Sequence, residues 1–359
     1  MKFLLVNWAH SNELKGGCET FFSELDRLLK EMGHETKLVS FKSAQKVMGM
    51  NIERGSTGFF EAEASHIMDR YCHQYMNLFP KTFIISNAGI TNFWYKNPNT
   101  INVFNDPYHD IVAKLTKLSF YGATTYNKYG QICVRMQQES AMCAKRNIAV
   151  SEFMANEMRK LGIGTDVIEH GVNLEIFRPM DKAELRKKYG IPEGMTVAVW
   201  SKDFHPVAGF HILSNLIKKR KDIFWVLNFK TEQKYRPKSK NAKIIQPVER
   251  EIMPEIYNLG DFLINPSATE SFGLVPLEAM ACGIPCILNN TGFVWESGVK
   301  DGINKRPYGM LVSEWNEKAY EDAIEMLQGE RFSPRSHAEK YGMKRWRKEW
   351  SGLIELCTI

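Results

Sequence analysis

The stretch Asn265-Pro266-Ser267-Ala268-Thr269-Glu270-Ser271-Phe272-Gly273-Leu274-Val275-Pro276-Leu277-Glu278-Ala279-Met280 decides how the chain is read. It follows the apolar run Phe262–Ile264, which reads as a strand, and crosses a polar loop that ends in Phe-Gly-Leu. A helix is expected over Pro276–Cys282, opening on a proline whose missing N–H costs nothing there. Free backbone N–H groups and the positive end of the helix dipole then face the loop and favour an anion. Gly273 lets the backbone approach a ligand closely. Glu270 and Glu278 fall on different elements, one in the loop and one in the first helical turn. Glu278 can cap the helix or grip vicinal hydroxyls such as those of a ribose. Glu270 can be a solvated loop carboxylate or a ligand group.

Outward from this stretch, short apolar runs alternate with helical periods. Downstream comes a strand at Ile284–Leu288. Upstream, strands read at Met195–Trp200, Ile223–Asn228 and Lys243–Ile245, with helices at Gly209–Lys219 and Glu251–Leu259. The first half has the same rhythm. Phe3–Val6 is a strand and Gly16-Gly17 sit in a loop. Phe21, Phe22, Leu25, Leu28, Leu29 and Met32 then fall at helical spacing, ending at Gly33 where a C-terminal glycine belongs. Strands follow at Thr36–Phe41, Thr82–Ser86, Thr100–Phe104, Ile148–Val150 and Asp166–Ile168, whereas Ser43–Pro80 reads only as helix plus loop. Strand–helix–strand units of this kind build parallel sheets with crossover helices. The fold class is α/β, with two doubly wound domains facing across a cleft and ligands at the carboxyl ends of the strands. Phe177-Arg178-Pro179 marks the boundary, giving domains at 1–176 and 177–335 and a final helix at 336–359.

Composition narrows the class. At 359 residues the chain suits two ordinary domains, and 44% hydrophobic with 25% charged residues excludes a disordered or collagen-like chain. No apolar run is long enough to span a membrane, and MKFLLVN reads as a buried first strand and not as a leader; a soluble, cytoplasmic protein is expected. The seven cysteines are odd in number and scattered, so Cys282 and Cys286 read as buried thiols. Net charge is +6, about +1 of it before residue 176 and about +5 after it. That surplus suits an anionic ligand or an acidic surface, and solvated helix faces explain it equally well. No nucleic-acid partner is expected.

The central stretch resembles the Glu-x7-Glu signature of family 4 glycosyltransferases, retaining enzymes of the GT-B fold that use nucleotide-activated sugars. Gly16-Gly17 with Glu19, then Gly33-His34-Glu35, resembles that family's opening pattern. Val150-Ser151-Glu152, Ile168-Glu169-His170-Gly171-Val172-Asn173 and Phe177-Arg178-Pro179 resemble its domain-linking segment, and Ala279-Met280-Ala281-Cys282-Gly283-Ile284-Pro285 its helix-to-strand turn. Four motifs stand in the family's order from residue 1 to about 315.

The resemblance implies two Rossmann-like domains, acceptor side first and nucleotide-sugar side second. It implies that Glu278 holds the donor ribose, and that Glu270 binds the sugar and offsets positive charge developing at the anomeric carbon. The amides of Phe272, Gly273 and Leu274 contact sugar and diphosphate, Gly16 and Gly17 close over the diphosphate, and Thr291 lies on a base-side loop with Gly292 and Glu296. Hexose transfer from a UDP- or GDP-linked donor follows, with retention, without metal or other cofactor, to a glycan, lipid or small-molecule hydroxyl.

The departures bear on catalysis. Where the family carries an arginine and a lysine for the leaving diphosphate, this chain reads Ser201-Lys202-Asp203-Phe204-His205-Pro206-Val207-Ala208-Gly209. Lys202 takes the arginine's place, and Ala208 stands where the lysine is expected, with His205, Lys230 or Arg236 as substitutes. Asn105-Asp106 aligns with the family's His-Asp pair, leaving His109 as the histidine nearest the acceptor side. The alternative reading is a catalytically impaired protein of the same fold that binds a sugar nucleotide or glycan without turnover. No Asp-x-Asp, Walker lysine loop or G-x-G-x-x-G after a strand is present. The tail Lys344-Arg345-Trp346-Arg347-Lys348-Glu349-Trp350 reads as a last helix packed on the first domain, and its basic-aromatic character allows peripheral membrane contact.

Overall fold

The computed structural model describes residues 1–359 except 12, 15, 51, 53–59, 91–98, 117–122, 203, 205, 230–238, 300 and 359. The chain forms two compact units, Met1–Glu169 with Arg347–Ile359, and His170–Trp346. The first unit runs β1 (Lys2–Val6), α1 (Gly17–Glu31), β2 (Glu35–Val39), α2 (Phe41–Val47), α3 (Phe60–Leu78), β3 (Thr82–Asn87), β4 (Thr100–Phe104), α4 (Tyr108–Leu115), α5 (Ala123–Cys143), β5 (Arg146–Ala149), α6 (Glu152–Lys160) and β6 (Asp166–Val167). Its six strands are all parallel, in the order β2-β1-β3-β4-β5-β6. Strands buried on both faces need apolar side chains throughout, and Phe3, Leu4, Leu5 and Val6 are all buried. Leu4, Val6 and Ile84 pack under Ala44, Ile67, Met68 and Tyr71 of α2 and α3.

Two sequence readings change here. The expected strand Thr36–Phe41 ends at Val39, because Ser40 caps α2: its hydroxyl accepts from the Ser43 N–H at 3.2 Å, and the Ser43 hydroxyl accepts from the Ser40 N–H at 2.9 Å. The long helix α5 was not legible, since its apolar residues are sparse and its sequence is largely polar.

The second unit runs α7 (Lys182–Lys188), β7 (Thr196–Ser201), α8 (Phe210–Lys219), β8 (Ile223–Asn228), β9 (Ala242–Ile245), α9 (Met253–Asn258), β10 (Phe262–Asn265), α10 (Leu274–Ala281), β11 (Cys286–Asn289), β12 (Ile303–Arg306), β13 (Gly309–Val312), α11 (Glu317–Leu327) and α12 (Pro334–Ala338). A last helix, α13 (Met343–Thr358), begins in this unit and ends in the first. The sheet order is β12-β13-β11-β10-β7-β8-β9, parallel except for the edge pair β12–β13. Trp200, Trp225, Phe262 and Ile264 of the strands meet Leu213 and Leu216 of α8 and Tyr320 of α11 in its core.

The order of strands fixes where a ligand can reach each sheet. From β7 the chain winds one way through β8 and β9, then returns to β10 on the other side of β7. The loops after β7 and β10 therefore part at a topological switch point, the usual ligand crevice of an open α/β sheet. In the first unit the equivalent point lies between β1 and β3. Within that unit Trp350 packs on Phe21 at 5.4 Å, the Lys145 Nζ donates to the Cys357 carbonyl at 3.2 Å, and Arg347 pairs with Glu31. Trp346 and Trp350 are both buried, so the aromatic half of the tail is not a surface feature. All seven cysteines are free thiols, and Cys282 and Cys286 are buried. Among the described residues no helix is long and apolar enough to cross a membrane.

Candidate active site

The switch point of the second unit gathers most of the residues singled out in the sequence. Lys202 follows β7 directly, and its ammonium donates to the Ser267 hydroxyl at 2.8 Å and pairs with the Glu270 carboxylate. Glu270 also accepts from the Asn265 amide at 2.9 Å, and its own N–H donates to the Thr291 hydroxyl at 3.0 Å. Burial works to raise the Glu270 pKa. The Lys202 charge and hydrogen bonds from Lys202, Asn265 and Ser267 outweigh it and hold the carboxyl below its usual range. A cation and an anion thus stand ready at one strand end, each fixed by neutral donors and acceptors.

The backbone completes the site. Helix α10 begins at Leu274, so Pro276 is not its first residue and Glu278 lies in its second turn, too far in to cap it. Its N-cap is Gly273, with φ +101°, a left-handed conformation that favours glycine. The N–H groups of Phe272, Gly273 and Leu274 make no hydrogen bond to a described residue, which leaves them for an anion. Thr291 and Gly292 brace this turn from behind. Phe293 N–H donates to the Phe272 carbonyl at 2.8 Å, and a Cβ on Gly292, whose φ is +65°, would stand 2.2 Å from that same oxygen. The Phe272 ring is buried edge-on to His170 at 5.0 Å and beside Phe293 at 5.1 Å, so this side chain is core and only its main chain faces the loop.

Glu278 is 3% exposed and carries two partners that the sequence did not suggest. The buried Tyr257 hydroxyl donates to its Oε2 at 2.8 Å, and the Arg250 guanidinium stands 2.7 Å from its Oε1. Burial, followed by the Glu278 carboxylate, pushes the Tyr257 pKa far up and keeps the phenol a donor. Asn265 and Ser267 were also overlooked, although they are the polar residues at the end of β10. Ala208 is fully buried in a short turn of 3₁₀ helix. His205, Lys230 and Arg236 lie outside the described residues.

In the first unit, Gly16 is the N-cap of α1 and Gly17 its first residue. The carboxyl ends of β1, β3 and β4 carry a chain of amides. The Asn87 Nδ2 lies 3.3 Å from Asn7 Oδ1 and 3.2 Å from Asp106 Oδ2, while Asn105 Nδ2 donates to Asn87 Oδ1 at 3.3 Å. Burial raises the Asp106 pKa against the opposing Asn87 hydrogen bond. His109 stands in the first turn of α4, and its Nδ1 is 2.8 Å from Oε2 of Glu157 on α6. A surface depression of about 460 Å³ bounded by Lys305, Arg306, Arg331 and Phe332 shares no residue with either cluster.

The fold is the GT-B fold of glycosyltransferases. Sucrose-phosphate synthase from Thermosynechococcus elongatus superposes with a TM-score of 0.78 at 15% identity, over 99% of this chain and 98% of that one. HepE from Anabaena, solved with UDP and glucose, gives 0.67 at 17% identity over 99% of both chains. At such identities the likeness is one of fold. Residues 181–345 match the family model described as Glycosyl transferases group 1, and together with the fold this supports a glycosyltransferase. A D-inositol 3-phosphate glycosyltransferase from Mycobacterium sp. (strain KMS) is 28% identical over 151 residues, 38% of this chain and 34% of that protein. A protein of the same name from Geodermatophilus obscurus is 25% identical over 216 residues, 54% of this chain and 47% of that protein. The chain thus spans about a third to a half of the length of these curated relatives.

Proposed function

We propose that the chain is a retaining hexosyltransferase that moves a sugar from a UDP- or GDP-linked donor to a hydroxyl acceptor without a metal ion. The observation that carries this reading is the convergence, at the second unit's switch point, of Lys202, Glu270 and three N–H groups at the start of α10 that bond no described residue. A nucleoside-diphosphate sugar needs an electropositive seat for its diphosphate and a carboxylate beside its sugar. In this reading the diphosphate takes Lys202 and the amides of Phe272, Gly273 and Leu274. Lys202 neutralises the charge left on the departing diphosphate as the glycosidic bond breaks. Glu270, released from Lys202, binds sugar hydroxyls and offsets the positive charge at the anomeric carbon. Glu278 takes the ribose hydroxyls on its remaining lone pairs, and Thr291 holds the loop beside the base. Gly16, Gly17 and His109 serve from the first unit, on the diphosphate and on the acceptor. The acceptor hydroxyl belongs to a glycan, a lipid or a small molecule. HepE, a fold neighbour solved with UDP-glucose, and the inositol-phosphate glycosyltransferases support a sugar-nucleotide donor.

One observation favours a second reading, binding without turnover: a buried alanine, Ala208, stands at the position of this loop where the second cation is expected. Diphosphate release from UDP-, GDP- and ADP-sugars decides between the two, with thermal shift reporting binding in the same wells. Release from one donor, abolished in Glu278→Ala, with the product's anomeric configuration retained by NMR, is expected. Binding without release over a broad acceptor panel would favour the second reading, and inversion would overturn the stereochemical assignment.

A further inference from the structure

The His109–Glu157 pair does more than join two helices. Glu157 is 1% exposed, and both its oxygens are used: Oε2 faces His109 Nδ1 at 2.8 Å, and Oε1 pairs with Lys160 one turn along α6. Burying a carboxylate is costly and seldom favoured over an apolar contact for stability alone. An ionised carboxylate only accepts, so the hydrogen bond to His109 requires the proton on Nδ1. In the neutral ring that choice of tautomer leaves the Nε2 lone pair free. The ring is 35% exposed, and Nε2 bonds no described residue. His109 follows β4 by one short turn, at the carboxyl end of the first unit's sheet, where open α/β sheets take their ligands.

We propose that Glu157 is a positioning residue: it fixes His109 as the Nδ1–H tautomer, so that Nε2 accepts a hydrogen bond from the acceptor hydroxyl bound by the first unit. This rests on the glycosyltransferase reading. Orientation of an imidazole by a buried carboxylate is the logic of catalytic triads, where the wrong tautomer is costly even with the geometry intact. Lys160 gives the arrangement a distinctive weakness. In Glu157→Gln the single amide oxygen is drawn to Lys160, and the amide NH2 turns to His109 Nδ1, which forces the proton onto Nε2. Removing the lysine as well frees the amide oxygen to accept from Nδ1–H again.

The test uses the full chain, with 15N-labelled histidine for NMR and acceptor-dependent diphosphate release for kinetics. D-glucose and D-inositol 3-phosphate are the acceptor probes. Wild type is expected to show His109 as the Nδ1–H tautomer. Glu157→Gln is expected to show the Nε2–H tautomer, with kcat/KM for the acceptor down roughly tenfold or more and donor KM unchanged. The double variant Glu157→Gln with Lys160→Met is expected to recover both the tautomer and most of the acceptor kcat/KM. A purely structural ion pair gives no recovery in the double variant and no split between acceptor and donor, and either result overturns the proposal. Wild type that releases no diphosphate with these probes or with any member of the broad acceptor panel, whatever its tautomer, removes the glycosyltransferase reading and this role with it. An unchanged tautomer in Glu157→Gln overturns the positioning role alone.

Discussion

Both units are largely parallel sheets wound by helices, and both carry asparagines at strand ends. Asn87 and Asn105 stand there in the first and Asn228, Asn265 and Asn289 in the second, yet the second adds full charges. The second unit places full charges there, Lys202 against Glu270 and Arg250 against Glu278, backed by a helix N-terminus. The first unit places carboxamides, Asn7, Asn87 and Asn105, with Asp106 the one acid joined to their hydrogen-bond chain among the described residues. Charges suit a diphosphate that must be held and then released with more negative charge than it brought. Amides suit hydroxyls, which both give and accept hydrogen bonds. On the proposed function one architecture serves two kinds of ligand, and the difference lies in a few residues just beyond the strands.

The largest effect should come from removing the second unit's cation. Lys202→Met is expected to lower kcat for diphosphate release by about 100-fold or more, because Ala208, standing where a second cation is expected, supplies none. His109→Ala, in the first unit, should cost about tenfold and act on the acceptor's KM. Equal losses from the two substitutions in a steady-state assay would erase the contrast between the units.

Next is the backbone of the second unit. Gly292→Ala puts a Cβ against the Phe272 carbonyl in a left-handed conformation, and should destabilise by about 1–3 kcal/mol in thermal unfolding. A neutral result would mean that the Phe272 turn is not braced as described.

Individual groups of the two units also respond to pH with opposite sign. His337 of the second unit is half-buried and His170 buried, and burial holds their pKa values down at about 4 and about 3. Their folded values lie below the unfolded value near 6.5, so the stability they contribute is present above that pH and is lost as pH falls toward 4 and 3. His337→Phe should flatten part of that loss, since the ring sits among Tyr308, Phe293 and Tyr341 and its Nε2 has no partner among the described residues. Asp69 of the first unit goes the other way. Burial raises its pKa to about 7, so its contribution is full below pH 4 and is lost as pH rises through 7. Asp69→Asn is expected to stabilise the chain on the order of 1–3 kcal/mol at pH 8 and to change little at pH 4. Melting temperatures of both variants from pH 4 to 8 check the two signs together.

The same contrast explains what the sequence could show. In the second unit the site is nearly continuous: β10, the Glu270 loop and α10 are neighbours in the chain, and strand, turn and helix signals mark each of them. Lys202 was legible because it stands where the resemblance expects an arginine, on the first loop of the second domain. Arg250 and Tyr257 were not, since a loop arginine and a helical tyrosine carry no sign that they converge on Glu278. In the first unit the informative contacts are distant, with His109 meeting Glu157 across 48 positions and Asn7 meeting Asn87 across 80. A single sequence gives the elements but not such pairings. Helix ends were also misplaced wherever a cap decided them, as Ser40 and Gly273 do.

The most direct measurement is diphosphate release from the UDP-, GDP- and ADP-sugar panel by wild type and Glu270→Gln side by side, with thermal shift confirming that both are folded and bind donor. Release by wild type from one donor, lost in a variant that still binds it, is the expected result. Equal release by the two proteins would contradict the assignment of the charged strand ends of the second unit as the site where the sugar is detached.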